Sequence, residues 1–502
     1  MRRLLATVLV LAGLAAAGCG GGDDSGSALD SALAFLPKDT PFVLAVDTDV
    51  DGEQYKAVNE LIDKFPFGDQ VKASLRQQFQ RLGGDVDFND DVKPVLGNPA
   101  VFGATDAEAI TANSNNFVLA FQAKDQGALE DLVDRQKPKK IGEESGATIY
   151  EDGGFQFGIK DDLFVVAKDE TELKRALERA DGDDHFDEDS MGEALDGLPD
   201  SALARVYTDV EALLQSDPDT VAARKVKWIG ALRTLGLTAS ARNDAVDIDF
   251  RLRTEGDLSD EDLPIAPGDD APPVIEREGE VGLGIRDLAH IVRFAENAGQ
   301  AVDPAGFGDY EQAKKTIDSQ LGVSLDDDLV GQLTGDVSAT VAIDGGFGVR
   351  AELKDPEAFR RTLAKVADVL PSFAEGAGFG TVGLSKPKAG EDFYELAQPD
   401  GDAVIFGVVD DVLVVASDAR RAGAIANEAP TAVDGAKGSV VVGADAEQLV
   451  NTLLGEFGPA LGVPDLGGFG TGLLTRPLGD LNGYVKASTD ELRGKFTLNV
   501  EG

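Results

Sequence analysis

The sequence repeats itself. Residues 117–129, FVLAFQAKDQGAL, align without a gap with residues 347–359, FGVRAELKDPEAF, 230 residues further along. Residues 157–169, FGIKDDLFVVAKD, align in the same way with residues 406–418, FGVVDDVLVVASD, 249 residues further along. Because each copy carries the same apolar positions and turn residues, both copies should fold to the same unit. The sequence therefore predicts two tandem, duplicated lobes.

Further pairs extend the repeat over most of the chain. They are FVLAVDTDV (42–50) with VGLGIRDLA (281–289), NDDVKPVLG (89–97) with DDDLVGQLTG (326–335), and VYTDVEAL (206–213) with VGADAEQL (442–449). The copies differ at one acidic segment, DGDDHFDEDS at 181–190, which has no clear counterpart in the second half. We interpret this segment as a solvated charge run, with weak cation binding as the alternative.

Short apolar runs in the first half, bounded by turn residues, predict strands. They lie at 42–47, 100–105, 117–123, 147–151, 154–159, 162–167, 203–208, 236–242 and 245–252. The pairs Gly153-Gly154 and Asp161-Asp162 predict hairpin turns, because glycine and aspartate tolerate a positive φ. Asp125 and Asp169 stand where helix N-caps are expected. The predicted fold is α+β, with a mainly antiparallel sheet in each lobe and helices packed on one face.

The N-terminus, MRRLLATVLVLAGLAAAGC, is similar to a bacterial lipoprotein signal. Arg2 and Arg3 precede an apolar stretch at 4–17, which is shorter than the roughly 20 residues of a membrane span. Cys19 is the only cysteine and follows small residues; in such signals the cysteine is lipidated after cleavage. The alternative is an ordinary secretory signal with an incidental cysteine. We expect lipidation at Cys19 and a location on the outer face of the bacterial cytoplasmic membrane or in the cell envelope.

These features divide the chain into five segments. Residues 1–18 are predicted to form the signal peptide, and residues 19–31 a flexible tether with little to bury. Lobe 1 is expected at 32–253 and lobe 2 at 279–502. An acidic, proline-rich linker at 254–278 joins the two lobes.

The chain is strongly acidic, with 91 Asp and Glu residues, 46 Lys and Arg residues and a formal net charge of −45. Such a surface repels nucleic acid and anionic lipid headgroups, so we expect no nucleic-acid partner. It attracts cations or a basic protein, although acidity that serves only solubility is the alternative. No cysteine follows Cys19, so the body has neither disulfides nor a thiolate metal site.

One segment resembles a known family. Residues 32–66, ALAFLPKDTPFVLAVDTDVDGEQYKAVNELIDKFP, together with the repeated hairpins of the DDLFVVAKD type, are similar to the bacterial exported-protein family known as domain of unknown function 3352. The resemblance extends over residues 32–502. It implies an uncharacterised envelope protein, and it carries no catalytic or binding residues over to this chain.

One motif suggests calcium. Asp47, Asp49 and Asp51 precede a glycine in the order D-x-D-x-D-G, which opens many calcium-binding loops. The twelfth position of an EF-hand loop that starts at Asp47 is Val58 rather than a carboxylate, and a predicted strand precedes the motif. The alternative is a strand exit in which Asp49 or Asp51 caps the next helix. No other cofactor is expected, because GFGTVG at 378–383 does not lie between a strand and a helix.

Two further sets of side chains are candidates for ligand or membrane contact. Glycine-rich loops carry Phe373, Phe379 and Phe469, although rings folded back onto lobe 2 are the alternative. The lysines near the Lys-Pro-Lys sequences stand out on so acidic a chain and suit an anion, although surface turns stiffened by proline explain them equally well. These lysines are Lys137, Lys139, Lys140, Lys386 and Lys388.

Catalytic motifs are scarce. The two histidines, His185 and His290, lie near no suggestive serine, and no G-x-S-x-G, S-x-x-K or H-E-x-x-H sequence occurs. We therefore expect a lipid-anchored envelope protein with a non-catalytic binding or scaffolding body for a cationic, lipidic or basic protein ligand. The alternatives are a hydrolase of envelope material that works through two carboxylates and a calcium-stabilised structural module.

Overall fold

The computed structural model describes residues 25–83, 86–111, 116–152, 155–343, 345–376, 383–387, 392–397, 403–457 and 475–502. These residues form two compact units. Unit 1 contains the described residues up to Val221, together with Leu232–Thr254 and Asn499–Gly502. Unit 2 contains Ala222–Ala231 and Glu255–Leu498. The fold is α+β and the strand pairings within each unit are antiparallel, as predicted.

The described strands of unit 1 follow one another along the first half of the chain. They are β1 (Phe42–Val46), β2 (Ala100–Ala104), β3 (Phe117–Gln122), β4 (Lys139–Glu144), β5 (Ala147–Asp152), β6 (Phe155–Lys160), β7 (Leu163–Ala167), β8 (Ala204–Asp209), β9 (Leu232–Arg242) and β10 (Ala245–Thr254). Their order across the sheet is β4-β5-β6-β7-β3-β2-β1-β8-β9-β10. Sequence analysis located each of these strands except β4.

The described helices of unit 1 connect these strands. They are α1 (Ser25–Leu33), α2 (Glu53–Lys64), α3 (Gly68–Gly83), α4 (Glu108–Thr111), α5 (Gln126–Gln136), α6 (Glu170–Ala180), α7 (Glu188–Leu195) and α8 (Val210–Ser216). Asp125 and Asp169 cap α5 and α6 through hydrogen bonds from the backbone amides of Ala128 and Glu172, as predicted. Asp161 has φ 55° in the two-residue turn between β6 and β7, also as predicted. The predicted Gly153-Gly154 turn lies outside the described residues.

Helices cover both faces of the unit 1 sheet, which corrects the prediction of a single covered face. Val118 and Ala120 of β3 pack in one core with residues of α1, α6 and α7. Leu119 and Phe121 of the same strand pack in a second core, with α5. Strands that are apolar at every position, such as FVLAFQ, are those buried on both faces. Other strands alternate apolar and polar residues, and this alternation led to the prediction of a single covered face.

Two predicted flexible segments are packed instead. Helix α1 occupies the second half of the expected tether, 19–31, and buries Leu29 and Leu33 against the sheet. The expected linker, 254–278, belongs mostly to unit 2, where Leu263 and Ile275 are fully buried. Both segments contain apolar residues among many polar ones, and burial of those few residues fixes the chain.

The described strands of unit 2 repeat the arrangement of unit 1. They are β11 (Glu280–Arg286), β12 (Asp336–Ala342), β13 (Phe347–Glu352), β14 (Gly383–Ser385), β15 (Phe393–Ala397), β16 (Ala403–Val409), β17 (Val412–Ala416), β18 (Val440–Asp445), β19 (Leu478–Ala487) and β20 (Glu491–Val500). Their order is β14-β15-β16-β17-β13-β12-β11-β18-β19-β20. Each strand of unit 1 therefore has a counterpart ten strands later, at the same place in the order.

Unit 2 has seven described α-helices, one fewer than unit 1. They are α9 (Lys227–Gly230), α10 (Leu288–Val302), α11 (Pro304–Leu321), α12 (Leu325–Asp328), α13 (Pro356–Gly376), α14 (Ala419–Asn427) and α15 (Ala446–Phe457). Between α14 and β18 the chain contains no helix, whereas α7 lies between α6 and β8 in unit 1.

Among the described helices, none combines the length and the apolar composition that a membrane span requires.

Candidate functional site

The predicted calcium motif forms a turn after β1. The carboxylate of Asp47 accepts a hydrogen bond from the backbone amide of Asp49 at 3.0 Å, and that of Asp49 accepts one from the amide of Asp51 at 3.1 Å. Burial raises the pKa of Asp47, and this effect outweighs the hydrogen bond from Asp49. Asp51 forms an ion pair with Lys93 at 2.8 Å, and the hydrogen bond in this pair lowers the pKa of Asp51. The carboxylates of Asp47 and Asp49 therefore accept hydrogen bonds within the turn, and that of Asp51 pairs with Lys93.

The same turn corrects the alternative interpretation of the motif. Helix α2 begins at Glu53 with Gly52 as its N-cap, and no side chain caps it. Asp49 instead accepts a hydrogen bond from the backbone amide of Asp51, two positions on, which is a common use of aspartate in turns, and Asp51 pairs with Lys93. Within the described ranges, no group of three or more His, Cys, Asp or Glu side chains is arranged to hold a metal ion.

The candidate lysines are separated from one another, and Lys139, Lys140 and Lys386 are paired with carboxylates. Lys137 ends α5 in the left-handed conformation, at φ 50°. Lys139 lies in β4 and pairs with Glu151 at 3.3 Å, so the expected surface turn is in part a strand. Lys386 forms an ion pair with Asp368, which raises the pKa of Lys386. Lys388 lies outside the described residues. The described lysines therefore do not form a common anion site.

The remaining predicted residues are not placed in a site. Cys19, Phe379 and Phe469 lie outside the described residues. Phe373 belongs to helix α13.

The acidic segment 181–190 is not simply solvated, which corrects our interpretation. Asp183 and Asp184 are exposed, but Phe186 is 1% exposed and packs on Tyr207 with ring centroids 5.1 Å apart. Asp187 caps α7 by accepting a hydrogen bond from Ser190. The segment therefore anchors α7 on the sheet, and only its first part is a charged surface.

Unit 2 contains a cleft of about 300 Å³ that sequence analysis did not find. It lies where β11 begins, β18 ends and β19 begins, on neighbouring strands of the sheet. We call it the acidic cleft, because five of its ten lining residues carry a carboxylate and one carries a guanidinium. The lining residues are Glu276, Arg277, Glu278, Glu280, Gly443, Ala444, Asp445, Gln448, Asp480 and Asn482.

A buried ion-pair network forms one wall of the acidic cleft. Glu280 is 8% exposed and pairs with Arg421 at 2.7 Å and Arg277 at 3.4 Å. Arg277 also pairs with Glu428 at 2.7 Å. Burial works against the charge of Arg277, but the hydrogen bond and charge of Glu428, assisted by Glu280, raise its pKa overall. The single cation of the lining is therefore already neutralised.

The other carboxylates of the lining face the cleft without a cationic partner. Glu276, Glu278 and Asp480 are exposed, and no ion pair joins them to a Lys or Arg among the described residues. Asp445 caps α15 by accepting a hydrogen bond from the amide of Gln448 at 3.0 Å. The cleft therefore presents uncompensated negative charge, which favours a cationic ligand.

The counterpart positions in unit 1 carry fewer carboxylates. The paired residues Asp445 and Asp480 correspond to Asp209 and Thr234, which pair in the same register between β8 and β9. By the same pairing Asn482 corresponds to Gly236 and Gly443 to Tyr207, and Glu280 corresponds to Pro41. Asp445 and, by the offset that aligns Glu280 with Pro41, Glu278 keep a carboxylate counterpart in unit 1, Asp209 and Asp39. The acidity of the cleft is therefore specific to unit 2 only in part.

Helix α7 fills the counterpart place in unit 1. A side chain at Gly236 would collide with the carbonyl oxygen of Ala194 at the end of α7. Met191 and Ala194 of α7 are fully buried in the same core as Tyr207. In unit 2 the connection from α14 to β18 runs from 428 to 439, against 181 to 203 in unit 1, and has no helix. The shorter connection places Val433, together with Val274, over Gly443, and the cleft remains beside them at the ends of β18 and β19. The sequence signal was the missing counterpart of 181–190.

Comparisons with known proteins place the chain in a family without an assigned activity. A family model described as "Protein of unknown function (DUF3352)" matches residues 4–370. No curated protein matches. Among solved structures, crystal forms III, IV and I of TP0453 match with 11%, 12% and 13% identity and TM-scores of 0.26, 0.27 and 0.25. The matches include 44–45% of this chain and 80–81% of TP0453. TM-scores this low define neither the fold nor the function.

Proposed function

We propose that this chain, which belongs to the DUF3352 family of proteins of unknown function, is a lipid-anchored binding protein of the bacterial cell envelope. It is built from two tandem copies of one α+β unit, and its second copy binds a cationic ligand in the acidic cleft. The binding is not catalytic. The observation that carries the binding role is the open, uncompensated acidic cleft of unit 2.

The strand register supports the duplication. In unit 1, Phe121 pairs with Phe164, and in unit 2 Ala351 pairs with Leu413. These partners are 230 and 249 residues apart from their counterparts, the same offsets that align the sequences. Asp209 and Asp445 both cap the helix that follows the strand, through hydrogen bonds from the amides of Ala212 and Gln448.

Divergence between the copies supports the binding role. A stabilising scaffold has no need for a carboxylate at Asp480, because unit 1 holds the same strand pair together with Thr234 at that position. Clustered like charges repel one another and lower stability unless a ligand or solvent compensates them. General solubility does not explain their concentration around one cavity.

The anchor is tested by analysing the mature N-terminus. The whole chain is expressed in a bacterial host with lipoprotein processing, and the membrane fraction is analysed by mass spectrometry. We expect an N-terminal peptide that begins at a diacylated or triacylated Cys19, and release of Cys19→Ser from the membrane fraction. A mature protein that retains Arg2, or that carries no acyl group, would contradict the anchor.

Cation binding is tested with two probes, spermine and poly-L-lysine, by isothermal titration calorimetry. The cleft variant is Glu278→Gln with Asp480→Asn. The control variant, Asp183→Asn with Asp184→Asn, removes two exposed carboxylates from unit 1 and changes the net charge equally. We expect at least one probe to bind, with an affinity at least tenfold lower in the cleft variant and unchanged in the control variant. Equal affinities in both variants would show that only the general acidity attracts cations.

A further inference from the structure

We infer that residues 499–502 act as a strap that holds helix α2 on the sheet of unit 1, and that α2 opens when this strap detaches. The inference concerns unit 1 alone and is independent of the binding proposed for unit 2. Residues 499–502 belong to unit 1, although the residues before them, Glu255–Leu498, belong to unit 2. Unit 1 is therefore completed by a segment from the second half of the sequence.

Apolar packing joins the strap to α2. Val500 is 4% exposed and lies in one cluster with the buried residues Leu61, Leu203 and Ala241. Leu61 is the one buried residue of α2, a helix that is described throughout its length. Because the other apolar residues of α2 are only partly buried, removal of Val500 takes away one of the three buried neighbours of Leu61 in this cluster.

Hydrogen bonds fix both sides of Val500. Its backbone amide donates to the carbonyl oxygen of Asp244 at 2.7 Å, in the turn between β9 and β10. Its carbonyl oxygen accepts a hydrogen bond from the ammonium of Lys64, the last residue of α2, at 2.6 Å. The start of α2 has a connection of its own, because Gln54 accepts a hydrogen bond from the amide of Ala241 at 2.8 Å. The strap thus bridges the end of α2 and the sheet.

The order along the chain makes the strap a late and separable element. Lys64 and Val500 are 436 residues apart in sequence. Closing a loop of this length costs more conformational entropy than closing the short loops within unit 1, although the cost grows only slowly with length. The end of α2 is therefore fixed only when the second half of the chain is present. When the strap detaches, α2 opens locally while the rest of unit 1 stays folded.

Hydrogen exchange of the full chain, followed by mass spectrometry, tests the strap. Val500→Asp would bury a charge in the apolar cluster, so the strap detaches. Deletion of residues 499–502 removes the strap altogether. Lys64→Met is a milder variant, which keeps the apolar stem of the lysine and removes its hydrogen bond. The control is Phe496→Asp, which adds the same charge to the same strand, at a ring that lies against Gly483 of unit 2.

We expect the amides of α2 to exchange about tenfold faster or more in Val500→Asp and in the deletion variant. In Lys64→Met they should exchange about threefold faster, because one hydrogen bond to an ammonium is lost. Exchange in α6 should remain unchanged in these three variants, and Phe496→Asp should leave α2 unchanged.

Three results would overturn the strap. The first is unchanged exchange of α2 in both Val500→Asp and the deletion variant. The second is a comparable increase of exchange throughout unit 1, which would make Val500 an ordinary core residue. The third is an equal opening of α2 in Phe496→Asp, which would show that any disturbance of the strand has this effect.

Discussion

Lys314 is expected to hold three helices of unit 2 together. Its side chain is 8% exposed, and its ammonium group lies 2.6 Å from Asp326, 3.0 Å from Glu296 and 3.4 Å from Glu311. These carboxylates belong to α12, α10 and α11, and the Tyr310 ring lies 5.5 Å from the ammonium. We predict that Lys314→Met destabilises this helical layer, because it leaves three carboxylates facing one another without a cation.

The expected loss of stability in Lys314→Met follows from how far the ion-pair partners are buried. Removal of one partner from a buried ion pair typically costs about 3–5 kcal/mol. Here Asp326 is 55% exposed and Glu311 33% exposed, so water compensates part of their charge, and methionine retains most of the apolar contact of the lysine stem. We therefore expect a loss of about 2 kcal/mol, a roughly 30-fold change in the local opening equilibrium.

Hydrogen exchange of the α10 and α11 amides, followed by mass spectrometry, measures this opening directly. The matched control is Lys315→Met, because Lys315 is 69% exposed and its only described ion pair, with Glu311, is 3.5 Å long. An exposed pair contributes about 0–1 kcal/mol, so protection should change little. Equal losses of protection in both variants would refute the reasoning.

The pH dependence gives the same experiment a second readout. Burial works against the charge of Lys314, but the hydrogen bonds that it donates to Asp326 and Glu296 raise its pKa well above the ordinary value of 10.5. A group whose pKa is raised by folding contributes stability that is complete below its unfolded pKa and is lost as the pH rises through its folded pKa. The difference in protection between wild type and Lys314→Met should therefore be constant between about pH 6 and about pH 10, where the carboxylates and the ammonium are all charged, and shrink in strong alkali.

Three further predictions test the fold. Phe186→Ala should cost about 3–5 kcal/mol in thermal unfolding, because the ring is fully buried, whereas Asp184→Ala should be nearly neutral. Asp169→Ala and Asp418→Ala should each cost about 1 kcal/mol, because both aspartates cap the helix that follows counterpart strands; a loss in only one would contradict their equivalence. Asp161→Gly should be neutral or stabilising and Asp161→Val destabilising by more than 1 kcal/mol or so, as measured by chemical denaturation, since φ is 55° there.

Local sequence signals predicted most of the fold. Alternating and wholly apolar runs located the strands of unit 1 to within a few residues, and the aspartates before α5 and α6 located the helix starts. Strand β4 was missed because its sequence, KKIGEE, has few apolar residues and forms an edge with charged side chains, which is how edge strands avoid aggregation. Most strands alternate apolar and polar residues, which favours a sheet with helices on one face. The second layer of helices in unit 1 was therefore missed.

The candidate site was less predictable, because it depends on a difference between counterparts rather than on a motif. Asp445, Asp480 and Glu280 are far apart in sequence, and none belongs to a recognisable pattern. They meet because β11, β18 and β19 are neighbours in the sheet. The unmatched segment 181–190 was visible in the sequence, but its meaning required the observation that α7, which begins within it, packs on the unit 1 sheet.

The proposal that unit 2 holds a cation site is tested most directly by locating the bound cation on the protein. Hydrogen exchange of the full chain is compared with and without poly-L-lysine. Increased protection is expected at residues 276–280, 443–448 and 480–482, and no change is expected at the counterpart positions 207–212 and 234–236 of unit 1. Protection spread evenly over the acidic surface, or confined to unit 1, would contradict a ligand site in the second copy.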